Sequence, residues 1–388
     1  MPPAPIYLDH AATTPVRPEV LEAMTPYFGP RFGNPSSTHR WGREARAALD
    51  EARERVAQCL HAAPDEVCFT SGGTESDNLA VLGAWRSLKA HGKRAVVTSP
   101  TEHKAVLVAA HQAAKEGAEE RILAVAASGA VDLADAEAKL APGDVAIASV
   151  MWVNNETGVL QPIAELAALA KARGALFHTD AVQAFGKVEV DATTIPFDFA
   201  SVSGHKLGAP KGIGCFYIRR GTSLEPLFFG GSQDRGRRPG TENVAMAVGL
   251  ARAMELAIVE REAHWHELEA MRDALEAALR ERVPGLVVHS AGAARAPHIL
   301  NVSVPGTDSE SLLMALDLQG VAASSGSACQ SGSVTPSHVL SAMGIPADIA
   351  NAAVRMSFGS LSTPDDVTRV AELFPALVAK ARGLAGIA

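Results

Sequence analysis

Five polar segments of the sequence stand where short apolar runs end. They lie at residues 71–76, 101–104, 153–158, 178–183 and 201–206, and each carries acidic, basic, amide or hydroxyl groups. One such segment means little, because loops are polar in any globular protein. Five are harder to dismiss, since ligands of open α/β sheets bind outside the carboxyl ends of the strands. The pattern predicts a common site at that edge of the sheet.

Within these segments, a lysine, an aspartate and a glycine-rich turn indicate one kind of chemistry. Lys206 follows an apolar run in a chain where only ten of the 35 basic residues are lysine. Most lysines are solvated, but one in a cleft becomes an amine nucleophile once its pKa falls. Asp180 ends another apolar run, where an ionised carboxylate needs a cationic partner.

The turn SGGTES has the composition of an anion cradle, although an ordinary helix N-cap would look the same. Gly72 and Gly73 let backbone N–H groups approach an anion at a helix N-terminus, and Thr74 adds a hydroxyl donor. The turn has neither a Walker lysine nor GxGxxG spacing, so a single phosphate is favoured over a nucleotide. An amine, a carboxylate for a pyridinium nitrogen and a phosphate cradle together predict a pyridoxal 5'-phosphate (PLP) site.

The four cysteines differ in their surroundings. Cys59, Cys68 and Cys215 belong to periodic segments and are predicted to be small core residues. Cys329 lies in SSGSACQSGS, which has no hydrophobic pattern, so its thiol can be a nucleophile or a redox liability. The cysteines lack metal-site spacing, so neither a metal nor a disulfide framework is expected, and a reducing compartment fits them.

Arg355 interrupts an apolar strand-like run, AAVRMSFG. A buried arginine needs an anion, and its planar guanidinium can bind a carboxylate through two hydrogen bonds. That anion is either a substrate carboxylate or a structural salt-bridge partner, and the sequence does not favour one over the other.

The elements that must position these residues follow an α/β pattern, which predicts a mainly parallel sheet covered by helices. We expect strands at 66–70, 94–99, 144–153, 175–180, 197–203 and 212–218, and helices at 74–91, 103–117 and 162–173. A long helical pattern from residue 244 to 279 leads into a smaller α+β region. We therefore predict a large PLP-binding domain at 15–257, with 1–14 and 258–388 forming a small domain that carries the Cys329 segment.

Composition argues against several classes of function. The net charge of −8 and pI near 5.9 oppose binding to nucleic acid. No apolar stretch approaches the roughly 20 residues of a membrane span, and no secretory signal is readable at the N-terminus. We expect a cytoplasmic globular protein that binds neither nucleic acid nor membranes.

In order and spacing, the motifs resemble those of the cysteine desulfurases, within the class V aminotransferase group. The matching segments span about residues 6–360 and include YLDHAATTPV, FGNPSSTHRWG, FTSGGTESDNLA, TEHKAV, VNNETGV, HTDAVQAFGK, SGHKLGAPKGIG, GGSQDRGRRPGTENV, SSGSACQSGSVTPSHVL and VRMSFG. The resemblance implies a fold-type I PLP enzyme that forms a homodimer. It takes sulfur from L-cysteine, leaves L-alanine and holds the sulfur as an enzyme persulfide for a sulfur-acceptor protein. The CQSGSVTPSHVL segment resembles the branch that serves iron–sulfur cluster and nitrogenase assembly.

The resemblance also implies residue roles. Lys206 would be the Schiff-base lysine and the base for the Cα proton, and Cys329 the acceptor thiolate. His103 would stack on the ring and help proton transfer. Asp180 would face the ring nitrogen and Gln183 the ring hydroxyl.

The remaining implied roles concern the phosphate and the substrate. Gly73, Thr74, Ser203 and His205 would hold the phosphate, with Thr241 contributed by the partner subunit. The substrate-binding residues would be Asn155, which also positions the cofactor, together with Arg355 and Asn34, which take the carboxylate.

Two other readings use much the same residues. A selenocysteine lyase, or another lyase or aminotransferase of this fold, stays open because fold does not fix the reaction. A plain aminotransferase has no need of Cys329. A sulfur carrier without turnover is disfavoured by the intact Lys206, Asp180 and His103.

Overall fold

The structure, a computed structural model, describes residues 4–325 and 336–384 of the chain. The strands are β1 (Ile6–Tyr7), β2 (Val67–Thr70), β3 (Ala95–Thr98), β4 (Glu119–Ile122), β5 (Val145–Ser149), β6 (Leu176–Asp180), β7 (Phe199–Ser203), β8 (Gly214–Ile218), β9 (Val287–Val288), β10 (Ile299–Ser303), β11 (Val321–Ala322) and β12 (Ala353–Ser357). The α-helices are α1 (Pro18–Met24), α2 (Arg40–Cys59), α3 (Gly73–Leu88), α4 (Lys104–Lys115), α5 (Leu133–Leu140), α6 (Ile163–Ala172), α7 (Val244–Val259), α8 (Arg261–Arg282), α9 (Ser309–Leu318), α10 (His338–Ala342), α11 (Ala347–Ala350) and α12 (Pro364–Leu384).

Seven strands form the central sheet, in the order β2-β8-β7-β6-β5-β3-β4. Strands β3 to β7 run parallel to one another, which confirms the mainly parallel sheet. Strands β5, β7 and β8 are buried along their whole length, as expected for a sheet covered on both faces. One hydrophobic cluster includes residues of α2, α6 and α7, and another includes residues of α3 and α4.

Strand β8 departs from the parallel pattern, because it runs antiparallel to both β2 and β7. Only about ten residues join β7 to β8. A parallel neighbour would need a crossover connection of about a dozen residues or more, so the short link dictates the reversal.

The C-terminal part has its own hydrophobic cluster. Strands β12, β10 and β9 form an antiparallel sheet in that order, and α8, α9 and α12 contribute buried residues to the same cluster. The N-terminus joins it: β1 pairs in parallel with β11, and Leu8 is fully buried there. The domain boundaries proposed above stay a prediction.

The long helical pattern from residue 244 to 279 is two helices. Helix α7 ends at Val259 and α8 begins at Arg261. Between them, the carboxylate of Glu260 binds the guanidinium of Arg17, with 2.8 Å between Nη2 and Oε1. Within the described parts of the chain, no helix has both the length and the apolar character of a membrane span.

Candidate active site

A cavity of about 360 Å³ opens at the carboxyl ends of the parallel strands, within the usual size range of small-ligand pockets. Most of the side chains that the sequence singled out line it. They are Gly73, Thr74, His103, Asn155, Asp180, Gln183, Ser203, His205, Lys206 and Arg355. Asn34 and Thr241 are exposed and do not line this cavity. Cys329 lies outside the described residues.

Lys206 sits in the short turn Gly204–Lys206 that follows β7. Its Nζ donates hydrogen bonds to the carbonyl oxygens of Ala11 at 2.7 Å and Ala12 at 2.6 Å. Burial, together with the positive charge of Arg355, lowers the pKa of the Lys206 ammonium to about 8. A substantial share of this amine is therefore neutral at mildly alkaline pH, which is the state a nucleophilic lysine requires.

Asp180 ends β6 and is buried, with only 5% of its surface exposed. One carboxylate oxygen accepts a hydrogen bond from the N–H of Val182 at 2.9 Å. Burial raises the pKa of Asp180, while the nearby His103 and Lys206 favour its charged form. A buried carboxylate that lines a cavity is stabilised by a cationic ligand group, such as a protonated ring nitrogen.

The start of helix α3 forms one wall of the cavity. Gly72 has φ of 149°, a conformation that favours glycine, and a Cβ on Gly73 would lie 2.8 Å from Cγ2 of Val182. The two glycines therefore keep the first turn of the helix open, where backbone N–H groups lack intrahelical partners. With the hydroxyls of Thr74 and Ser203 in the same wall, this is a cradle suited to a phosphate.

Two histidines complete the wall. Burial and the charge of Lys206 lower the pKa of His205 to about 4, so the ring is neutral near pH 7 and offers hydrogen bonds rather than charge. Its Nδ1 lies 3.1 Å from the hydroxyl of Thr13. His103 precedes α4, and its Nδ1 accepts a hydrogen bond from the N–H of Ala105 at 3.1 Å. That bond fixes the His103 ring at the cavity wall.

Arg355 projects from β12 and is 3% exposed. Its Nη2 lies 2.7 Å from the Asp9 carboxylate and its Nη1 donates to the carbonyl of Asn155 at 2.8 Å. The structural salt bridge considered from the sequence is therefore present. Arg355 also lines the cavity, and among the described residues no acceptor binds its Nε.

The sequence reasoning missed the floor of the cavity. Ala11 and Ala12 supply backbone carbonyls there. The reasoning also missed His298, which does not line the cavity but contacts Gln183, with 3.1 Å between its Nε2 and Oε1 of the glutamine. Residues 9–14 did carry a signal, because DHAATT is another polar segment directly after a short apolar run. His298 carried none, since its partner is more than 100 residues away in the chain. No cluster of three or more possible metal ligands exists in the described part of the structure.

Comparisons with known proteins agree with this geometry. Residues 6–370 match the family Aminotransferase class-V. "Cysteine desulfurase NifS" of Azotobacter vinelandii is 46% identical, with 98% of this chain and 94% of the relative covered. "Cysteine desulfurase IscS" of Dictyoglomus turgidum is 43% identical, with coverages of 97% and 95%. A solved "NIFS-LIKE PROTEIN" superposes with a TM-score of 0.91 at 35% identity, with 97% of this chain and 100% of that chain covered.

Proposed function

The chain belongs to the class V aminotransferase family, and from that premise we propose that it is a cysteine desulfurase that uses PLP. It removes sulfur from L-cysteine, releases L-alanine and passes the sulfur on for iron–sulfur cluster assembly. The observation that supports this best is one cavity that joins an amine of lowered pKa, a buried carboxylate and a helix N-terminus. The two curated relatives compared above are named cysteine desulfurases, and the similarity covers nearly their whole length, which supports the proposal.

The donor set of the cavity fits PLP group by group. The first turn of α3 with Thr74, Ser203 and His205 would hold the phosphate. Asp180 would face the ring nitrogen, and Lys206 is the amine that would attach to the aldehyde. When bound, PLP supplies an electron sink that makes the Cα proton of an amino acid removable.

The chain's own groups carry the remaining tasks. With substrate in the site, Lys206 would be the base that takes the Cα proton at Nζ. His103 would stack on the ring and assist proton transfer. Arg355 and Asn155 would orient the substrate carboxylate, together with Asn34 if a homodimer brings it to the site. Because Arg355 is already aligned by Asp9 and the Asn155 carbonyl, little side-chain entropy is lost when it binds.

Cys329 is the proposed sulfur acceptor. Its thiolate bonds to the substrate sulfur as the C–S bond breaks, so the persulfide stays on the enzyme and the three-carbon product takes up protons to become alanine. Selenocysteine would meet the same residues and is the alternative substrate. The free thiols fit a cytoplasmic location, and the acceptor would be a protein such as an iron–sulfur scaffold.

A homodimer would give Asn34 and Thr241 a role. Both lie in exposed segments beside a second cavity of about 540 Å³, which Ser36 and Glu242 line. The segments also expose large apolar side chains, with Phe32 70% and Phe229 83% accessible. Exposed apolar side chains of this size often mark a subunit interface, and Asn34 and Thr241 lie in the same segments without lining the cavity of their own chain. We infer an interface here, across which Thr241 would reach the phosphate bound by the partner subunit.

The proposed reaction predicts a product balance. With PLP, L-cysteine and a reductant, we expect sulfide and L-alanine to form in a one-to-one ratio. Sulfide is measured colorimetrically and alanine by chromatography. Two further reactions serve as comparisons. One uses L-selenocysteine as the substrate, and the other uses L-alanine together with a 2-oxo acid. Amino transfer to the 2-oxo acid, or pyruvate and ammonia in place of alanine, would contradict the proposal.

The lowered pKa of Lys206 predicts how cofactor loading depends on pH. Only the neutral amine attacks an aldehyde, and burial favours the neutral form, so the attachment rate should rise with pH and level off above about 8. Below that midpoint the rate should fall about tenfold per pH unit. The rate is followed on apoprotein by borohydride trapping and peptide mass spectrometry. A midpoint near the ordinary lysine value of about 10.4 would contradict the expectation.

A further inference from the structure

We propose that His298 is a positioning residue that forces Gln183 to act as a hydrogen-bond donor toward the cavity. The inference rests on the proposed function in one respect, that the ligand of Gln183 is the ring oxygen of PLP. It assigns a role to a residue that lies outside the cavity lining and in the C-terminal part of the chain.

The amide of Gln183 is engaged at both ends. Its Nε2 donates to the carbonyl oxygen of Ala11 at 2.9 Å, and its Oε1 lies 3.1 Å from Nε2 of His298. A carbonyl oxygen only accepts hydrogen bonds, so the nitrogen of the amide must face Ala11. The amide oxygen then faces His298, and the ring must supply the hydrogen.

The state of the His298 ring agrees with this assignment. The ring is 3% exposed, and burial with the charge of Lys187 keeps its pKa well below the usual histidine value, so it is neutral. A neutral imidazole has one N–H, which the contact with Gln183 places on Nε2. Among the described residues, Nδ1 has no hydrogen-bond partner, as expected for the nitrogen without hydrogen. The backbone is held too, since Phe358 N–H donates to the His298 carbonyl at 2.9 Å.

The consequence concerns what Gln183 can recognise. Rotating the amide by 180° would set its oxygen against the Ala11 carbonyl and its N–H₂ against the N–H of His298, so two buried bonds would become two repulsive contacts. The amide of Gln183 is therefore held in one orientation, in which its nitrogen donates one hydrogen bond to the Ala11 carbonyl. The second N–H of that nitrogen can donate to a ligand. The site should prefer a ring oxygen that accepts, the ionised form, over one that donates.

A pair of ligands isolates this effect. PLP and 3-deoxypyridoxal 5'-phosphate differ only in the ring oxygen, and their dissociation constants can be measured by fluorescence titration of the apoprotein. The wild type should bind PLP about tenfold more tightly, the size of one well-placed hydrogen bond to a charged acceptor. In His298→Leu this preference should fall to about twofold or less, because the amide keeps only its bond to the Ala11 carbonyl and its unpaired oxygen can turn toward the cavity. His298→Gln supplies an N–H₂ donor and should restore most of the preference.

His289 offers a matched control, because it is 2% exposed, belongs to the same C-terminal part and bonds Ser303 instead of the cavity. His289→Leu should keep the wild-type preference for PLP, and its loss of stability should be similar to that of His298→Leu. An unchanged preference in His298→Leu, or a loss in His298→Gln as complete as in His298→Leu, would overturn the inference. Failure of the wild type to bind PLP would instead refute the proposed function.

A second measurement reads the wild-type protein directly and needs no binding data from a variant. Nitrogen chemical shifts of histidine-labelled apoprotein distinguish the two neutral tautomers, and His298→Gln identifies the signal. The hydrogen should be on Nε2. A hydrogen on Nδ1 would contradict the proposed lock even if His298→Leu does not fold.

Discussion

Lys206→Ala is expected to lower the rate of alanine formation from L-cysteine by about 10³-fold or more. The substitution removes both the amine that holds the cofactor and the base that moves the Cα proton. It also leaves the carbonyls of Ala11 and Ala12 without the ammonium that binds them in the structure. Cofactor affinity should fall as well, and no borohydride-stable adduct should form at this position.

Lys211→Ala is the matched control for this prediction. Lys211 lies five residues further along the same connection, is exposed, and does not line the cavity. The variant should load PLP and turn over at the wild-type rate. A trapped adduct on another lysine of Lys206→Ala, with activity retained, would refute the assignment. Thermal unfolding of both variants checks that a loss of activity is not a loss of fold.

Cys329→Ser should reduce sulfide release to the background of the protein-free reaction, with cofactor binding unchanged. A serine hydroxyl is not ionised near pH 7 and does not form a persulfide, so the sulfur has no acceptor. Exchange of the substrate Cα proton with deuterated solvent should continue, because Lys206 performs that step. Mass spectrometry of the wild type after one turnover should find the extra sulfur on Cys329.

Cys59→Ala serves as the control for general effects of removing a thiol. Cys59 is buried beside Arg55, and burial raises its thiol pKa to about 12, so it is inert as a nucleophile. Its variant should release sulfide at the wild-type rate. If Cys329→Ser turns over L-cysteine normally, the persulfide step is wrong for this protein. If proton exchange also stops, Cys329 acts earlier than proposed.

The site residues that follow the strands of the sheet were predictable from the sequence for a geometric reason. The carboxyl ends of parallel strands meet at one edge, so polar residues after β6 and β7 had to lie near each other. Asp180 and Lys206 come together in this way. The strands themselves were visible because both faces of the sheet are covered and the segments are apolar throughout.

Other features needed tertiary information. The polar strand β4, with sequence EERI and little burial, has no apolar run to reveal it. His298 meets Gln183 only because the C-terminal part packs against the sheet edge, a contact that no local pattern encodes. The roles of Asn34 and Thr241 rest only on the resemblance, because neither residue lines the cavity of the single chain.

The carbonyls that hold Lys206 belong to the segment after β1, and β1 pairs with β11, where Ile6 lies opposite Val321. A ribosome that makes about 5–20 residues per second needs roughly 15–60 s to travel from one partner to the other. Throughout that interval the central sheet of the nascent chain can form, but the β1–β11 pairing that anchors the Ala11 and Ala12 carbonyls cannot. A desulfurase assembled in this order acquires its complete amine site at the end of translation, so truncated chains would not release sulfide in the cell.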